Sequence, residues 1–157
     1  MSSPEFPCKW ISPEPDVMAL DGSEVRLLCE LPRGAMAMFT LPPDAISKAV
    51  SHRTIDELWC VIRGRGRIWR KIGDREDVTD LVAGVSVAIP TGAHFQFRND
   101  GSQPLDIIAA TMPPWPGDGE AYLVDGKWEP TGWFMPLHRG WRWRGASFDC
   151  SLRSRSG

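Results

Sequence analysis

The 157-residue chain contains no apolar run near the roughly 20 residues that a bilayer-spanning helix needs. Its first residues, MSSPEFPCKW, lack the basic and apolar regions of a secretion signal. Its four cysteines, Cys8, Cys29, Cys60 and Cys150, form no CxxC pair. The first absence argues against a membrane protein. The second gives export no support, so a cytoplasmic location is the expectation. The third excludes a zinc ribbon or thioredoxin-type redox motif and leaves four free thiols. A long amphipathic helix is missing too: DAISKAV (44–50) reads as one helical turn, too short to nucleate alone. Positive charge is scarce in the body of the chain. Net charge is −2, yet residues 138–157 hold five arginines against one aspartate, which leaves −6 for residues 1–137. An acidic body does not bind nucleic acid by bulk electrostatics.

What remains is the composition of a soluble globular domain, 42% hydrophobic and 24% charged, long enough to bury one continuous core. Short runs with period-two alternation, separated by Gly, Pro, Asp and Asn clusters, predict strands at 23–31, 35–41, 57–64, 66–72, 86–90, 94–100 and 105–112. That spacing suits an all-β sandwich or barrel. GDRED (73–77) and NDGSQP (99–104) read as turns between strands. Residues 1–22 form an N-terminal arm, 23–112 the barrel, and 113–157 an irregular extension. Within PPWPGDGEAY (113–122), prolines and glycines preclude regular structure, and Trp115 is expected to be buried. Five of the eight tryptophans lie at 115, 128, 133, 141 and 143, which predicts that the extension packs on the barrel or on a partner subunit. Trp141 and Trp143 alternate with Arg142 and Arg144, as an edge strand or subunit arm would. Stacking on single-stranded nucleic acid is the other use of such a pattern.

Two stretches carry the chemistry: DAISKAVSHRTIDELWCVIRG (44–64) and GVSVAIPTGAHFQFRN (84–99). Gly64 and Gly92 suit turns that need positive φ, and Pro90 suits the end of an edge strand. Glu57, Trp59 and Val61 share one strand face, Leu58, Cys60 and Ile62 the other, and both are largely apolar, so each needs cover. Phe95, Phe97 and Asn99 have one parity and His94, Gln96 and Arg98 the opposite, which points His94 outward unless a bulge after Gly92 reverses it.

These stretches resemble the paired motifs of the cupin superfamily. The first motif (Gly, five residues, His-x-His, three or four residues, Glu, six residues, Gly) falls on Asp44, Val50, His52, Glu57 and Gly64. The second (Gly, five residues, Pro-x-Gly, two residues, His, three residues, Asn) falls on Gly84, Pro90, Gly92, Phe95 and Asn99, so seven of the ten positions match in type. The resemblance covers residues 23–112 and implies an all-β double-stranded β-helix, or jelly-roll, barrel with an irregular Trp-rich C-terminal extension. It also implies a homodimer, because the outer face carrying Leu58, Cys60 and Ile62 needs cover.

In metal-holding cupins three histidines and one glutamate converge on the ion. Here Val50 and Phe95 stand at two of those positions, leaving His52 and Glu57, and a transition-metal site normally needs three or more such donors. Several expectations follow from the resemblance. The first is a small organic ligand, sugar-like or carboxylate, walled by Val50, Trp59, Val61, Phe95 and Phe97, beside a degenerate metal site. There His52 and Glu57 would be the candidate acid–base pair, as in metal-free isomerase-like or epimerase-like cupins. The second is a metal-dependent dioxygenase, decarboxylase or isomerase in which His94 joins His52 and Glu57 around a divalent transition metal. The third is a non-catalytic sensor or structural dimer. His52 also reads as a rim histidine, Glu57 as a carboxylate paired with arginine, and Trp59, Phe95 and Phe97 as plain core. Neither nucleic acid nor membrane is an expected partner.

Overall fold

A computed structural model describes residues 6–132. Eleven β-strands and no helix make up the described residues: β1 (Val17–Met18), β2 (Glu24–Leu31), β3 (Gly34–Leu41), β4 (Val50–His52), β5 (Asp56–Arg63), β6 (Arg65–Ile72), β7 (Arg75–Val82), β8 (Ser86–Ile89), β9 (His94–Asn99), β10 (Leu105–Met112) and β11 (Ala121–Leu123). They form two antiparallel sheets, ordered β1-β2-β3-β10-β5-β8 and β11-β4-β9-β6-β7. The jelly-roll expectation is met, and the alternating runs coincide with strands to within a residue or two.

Alternation decides which side chains lie between the sheets. Along β5, Glu57, Trp59 and Val61 are buried, while Leu58 and Ile62 remain 49% and 46% exposed on the outer face. β10 turns Leu105, Ile107, Ala109 and Thr111 inward, and β9 turns Phe95, Phe97 and Asn99 the same way. Leu41, Ile68, Leu81, Val87 and Ile89 complete the core.

Three expectations need correction, one of them that residues 113–122 hold no regular structure, since Ala121 and Tyr122 open β11, which pairs with β4. DAISKAV makes no helical turn: a tight turn at residues 43–44 leads to a single bridge, Ile46 to Arg98, because packing across the sheet overrides a weak local tendency. GDRED is a turn only at Gly73 and Asp74, and from Arg75 the chain is the charged edge strand β7, paired along the whole of β6. Only Leu81 of that strand is buried, so no apolar alternation marks it. The three-residue β4 is likewise too short to show a period.

The turn chemistry explains one departure from the motif. Gly64 has φ +82°, and a Cβ there would meet the Pro104 carbonyl. Asp44, at a position where the family has glycine, adopts φ 60°. Aspartate is among the few residues that tolerate the left-handed region, so the backbone shape survives the substitution.

Candidate functional site

The site lies at one end of the space between the sheets, where β4, β5, β9 and β10 bring their inward faces together. His52 from β4 and Glu57 from β5 are 5% and 2% exposed. His52 Nδ1 stands 3.4 Å from Glu57 Oε2, but the approach has no hydrogen-bond geometry and Nδ1 is left without a partner. The other carboxylate oxygen, Oε1, accepts the indole N–H of Trp59 at 2.9 Å. Thr111 of β10 is the cross-strand neighbour of Glu57, and its buried Oγ1 is also unpartnered. Buried polar atoms are usually paired, so two orphans on the strand neighbours of one carboxyl group call for an explanation.

Aromatic rings wall this polar end. Phe95 and Trp115 both meet the His52 ring edge-on, with centroids 5.2 and 5.3 Å away. Trp59 packs edge-on against Phe95 and Phe97 at 5.8 and 4.9 Å. Val50 and Phe95, which stand where the motif has histidines, are direct cross-strand partners. The two replaced donors are therefore one apolar contact on one side of the site.

His94 does not join them. Strand alternation puts it on the opposite face of β9 from Phe95, in register with Lys71. Among the described residues no three His, Cys, Asp or Glu side chains cluster as a metal would require.

Residues 37–111 match the cupin domain family. The chain carries a cupin domain. An uncharacterised conserved double-stranded β-helix protein from Klebsiella pneumoniae superposes with a TM-score of 0.56 at 18% identity, covering 69% of this chain and 89% of that one. Oxalate decarboxylase from Bacillus subtilis gives 0.59 at 17%, covering 68% and 29% respectively. The capsular polysaccharide assembling protein CapF from Staphylococcus aureus gives 0.57 at 20%, covering 66% and 32%. Thus the chain spans only about a third of those two larger proteins. At such identities the likeness is one of fold. No curated protein matches the sequence.

Charge inside the cupin barrel is set by burial. Removal from water pushes the Glu57 carboxyl up to about 7; the Trp59 hydrogen bond opposes this and nearby Asp21 adds to it. Burial also lowers the His52 imidazole to about 4, against a smaller opposite pull from Glu120. At neutral pH His52 is thus uncharged, and Glu57 is the group that exchanges a proton.

Several participants carry no sequence signal. Burial alone would raise the Glu120 carboxyl, but hydrogen bonds from the Thr54 N–H (2.7 Å), the Thr54 hydroxyl (2.8 Å) and the Ile55 N–H (2.9 Å), with His52 close by, hold it below the usual range. Glu120 sits in the post-barrel segment, 63 residues from Glu57 in sequence, and only folding brings it near His52. Asp21 is buried and raised by desolvation, with Ser23 donating to it from both N–H and hydroxyl. Thr111 is read from sequence merely as the end of a strand.

The described part of the extension folds back onto the cupin barrel. β11 pairs with β4, placing Ala121 opposite His52. Gln96 is buried on the outer face of β9: its amide donates to the carbonyls of Ser47 and Trp128, and its oxygen accepts from the N–H groups of Lys127 and Trp128. Trp115 is half-buried rather than fully buried. Trp133, Trp141, Trp143, Arg142, Arg144 and Cys150 lie outside the described residues.

Two surface grooves lie elsewhere. One of about 480 Å³ runs along Arg26, Met38, Thr40, Arg63 and Asp106 beneath Ser12 and Pro13. Another of about 530 Å³ borders Gly64, Arg65 and Asp100 to Gln103. Neither reaches His52, Glu57 or Thr111.

Proposed function

We propose that this cupin domain binds a small organic ligand at the end of its barrel, with His52, Glu57 and Thr111 as the polar contacts and Val50, Trp59, Val61, Phe95, Phe97 and Trp115 as apolar wall. The observation that carries this reading is a pair of buried atoms without partners among the described residues, His52 Nδ1 at 3.4 Å from Glu57 Oε2 and Thr111 Oγ1 on the cross-strand neighbour of Glu57, beside a carboxyl group with one hydrogen bond. A ligand bearing donors and acceptors would satisfy all three, and the packed rings require it to be small.

A metal does not fit these residues. His52 and Glu57 supply two donors, the apolar Val50–Phe95 contact occupies the side where two more would stand, and His94 is on the other face of its strand. The site is read as a degenerate metal site. Glu57, poised near neutrality, is the residue suited to move a proton to or from a bound ligand, with neutral His52 beside it as acceptor.

A thermal-shift screen of small amides, amines, polyols and carboxylic acids against the wild-type protein and Thr111→Val tests this reading. A true ligand at tenfold over its Kd raises the wild-type Tm by about 3 °C or more and leaves Thr111→Val unmoved. Absence of any compound that distinguishes the two proteins would sink the proposal.

A further inference from the structure

We infer that the barrel site selects by charge: it takes a neutral hydrogen-bonding or cationic nitrogen group against Glu57 and Thr111, and rejects carboxylates and phosphates. The inference rests on the ligand-binding reading above and narrows it to a class. The buried polar and charged residues among those described are Asp21, Ser23, Thr40, Ser47, Ser51, His52, Glu57, Gln96, Asn99, Thr111 and Glu120, with neither lysine nor arginine among them. The ionisable groups around the site are therefore three acids and one imidazole. The neighbouring cations are held by other groups: Lys48 faces Asp21, Arg53 donates to the Gly119 carbonyl and lies 4.5 Å over the Tyr122 ring, and Arg70, the cross-strand partner of Phe95, donates to the Ala88 carbonyl, Asp77 and Thr79, with its Nε alone left without a partner.

An anion entering this space would lose its hydration and meet Glu57 and Glu120 with no buried lysine or arginine among the described residues to replace the water. An amide or amidine N–H finds the opposite situation. Among the described residues Thr111 Oγ1 has no hydrogen-bond partner and the one hydrogen bond to Glu57 falls on Oε1, and the two residues are buried on adjacent strands in register.

Two isosteric trios isolate charge from shape: acetamidinium, acetamide and acetate, and isobutyramidinium, isobutyramide and isobutyrate. Each is titrated into the full chain at pH 7.5 and constant ionic strength, followed by ligand-observed NMR. The expected order is amidinium, then amide, then carboxylate, with about tenfold or more between first and last. Glu57→Gln should remove about tenfold from amidinium binding while keeping the amide, and Thr111→Val should weaken both. Carboxylate binding as tight as amide binding, weakened by Thr111→Val, overturns the charge rule and leaves the binding site standing. Amidinium binding indifferent to both variants marks a surface contact and overturns the rule as well. Failure of all six compounds at about 20 mM, far above the usual range for specific ligands, overturns the rule and the binding reading together.

Discussion

Glu57→Gln should make the protein more stable above neutral pH, although the replaced residue lies at the centre of the site. Burial pushes the Glu57 carboxyl up to about 7 from an ordinary value of 4.5, so the folded state holds a proton that the unfolded chain releases. The sign follows from linkage. Below pH 4.5 both states are protonated and the group contributes nothing. Between 4.5 and 7 the unfolded state alone is ionised, and stability falls as pH rises. Above 7 the full penalty is in place, about 3 kcal/mol at the usual conversion of a pKa difference, and at pH 5 it is under about 1 kcal/mol. Glutamine keeps the carbonyl that accepts the Trp59 indole and has no charge to bury. Urea unfolding of both proteins at pH 5 and pH 8.5 measures the effect. The variant's advantage should grow by about 2 to 3 kcal/mol between the two. A difference independent of pH, or a variant that loses stability on going from pH 5 to 8.5 relative to wild type, refutes the burial argument.

Other outcomes follow from the same structure. Gln96→Ala leaves the Lys127 and Trp128 N–H groups without their acceptor and should cost about 2 kcal/mol; limited proteolysis should then cut between residues 113 and 132 faster than in wild type, and an unchanged cleavage rate would contradict the clasp. Val50→His with Phe95→His restores four family donors on facing strands; elemental analysis should find about one equivalent of zinc or nickel in that double variant and under about a tenth in the wild type, whereas a stoichiometric metal in the wild type would overturn the two-donor reading. A homodimer that covers the exposed Leu58 and Ile62 should show twice the 17.5 kDa chain mass in light scattering, and Ile62→Lys should shift it toward monomer; a wild-type protein of single-chain mass, or a variant of unchanged mass, would remove that expectation.

Much of the architecture is readable from local pattern. Strict alternation along Glu57–Ile62 and His94–Asn99 is a strand property, and it already states which side chains face inward. The motif positions Asp44, Gly64, Gly84 and Gly92 all have positive φ, so the glycine spacing records backbone shape that any chain of this fold must adopt. β7 escapes notice because an exposed edge strand has one buried side chain and no period, and β4 because three residues are too few.

The sequence by itself determined the barrel, the inward faces of β5 and β9, and the apolar residues Val50 and Phe95 at two positions where the motif has histidine, since each is a matter of residue type at a fixed spacing along one strand. Tertiary structure alone decided the rest. Register puts Val50 against Phe95 and Thr111 against Glu57, residues 45 and 54 positions apart in the chain. The fold-back of 113–132 brings Glu120 beside Thr54 and Gln96 under Trp128. Burial then moves Glu57 and His52 away from their ordinary protonation states. Register, long-range contact and desolvation are properties of the assembled sheets, and no window of the chain contains them.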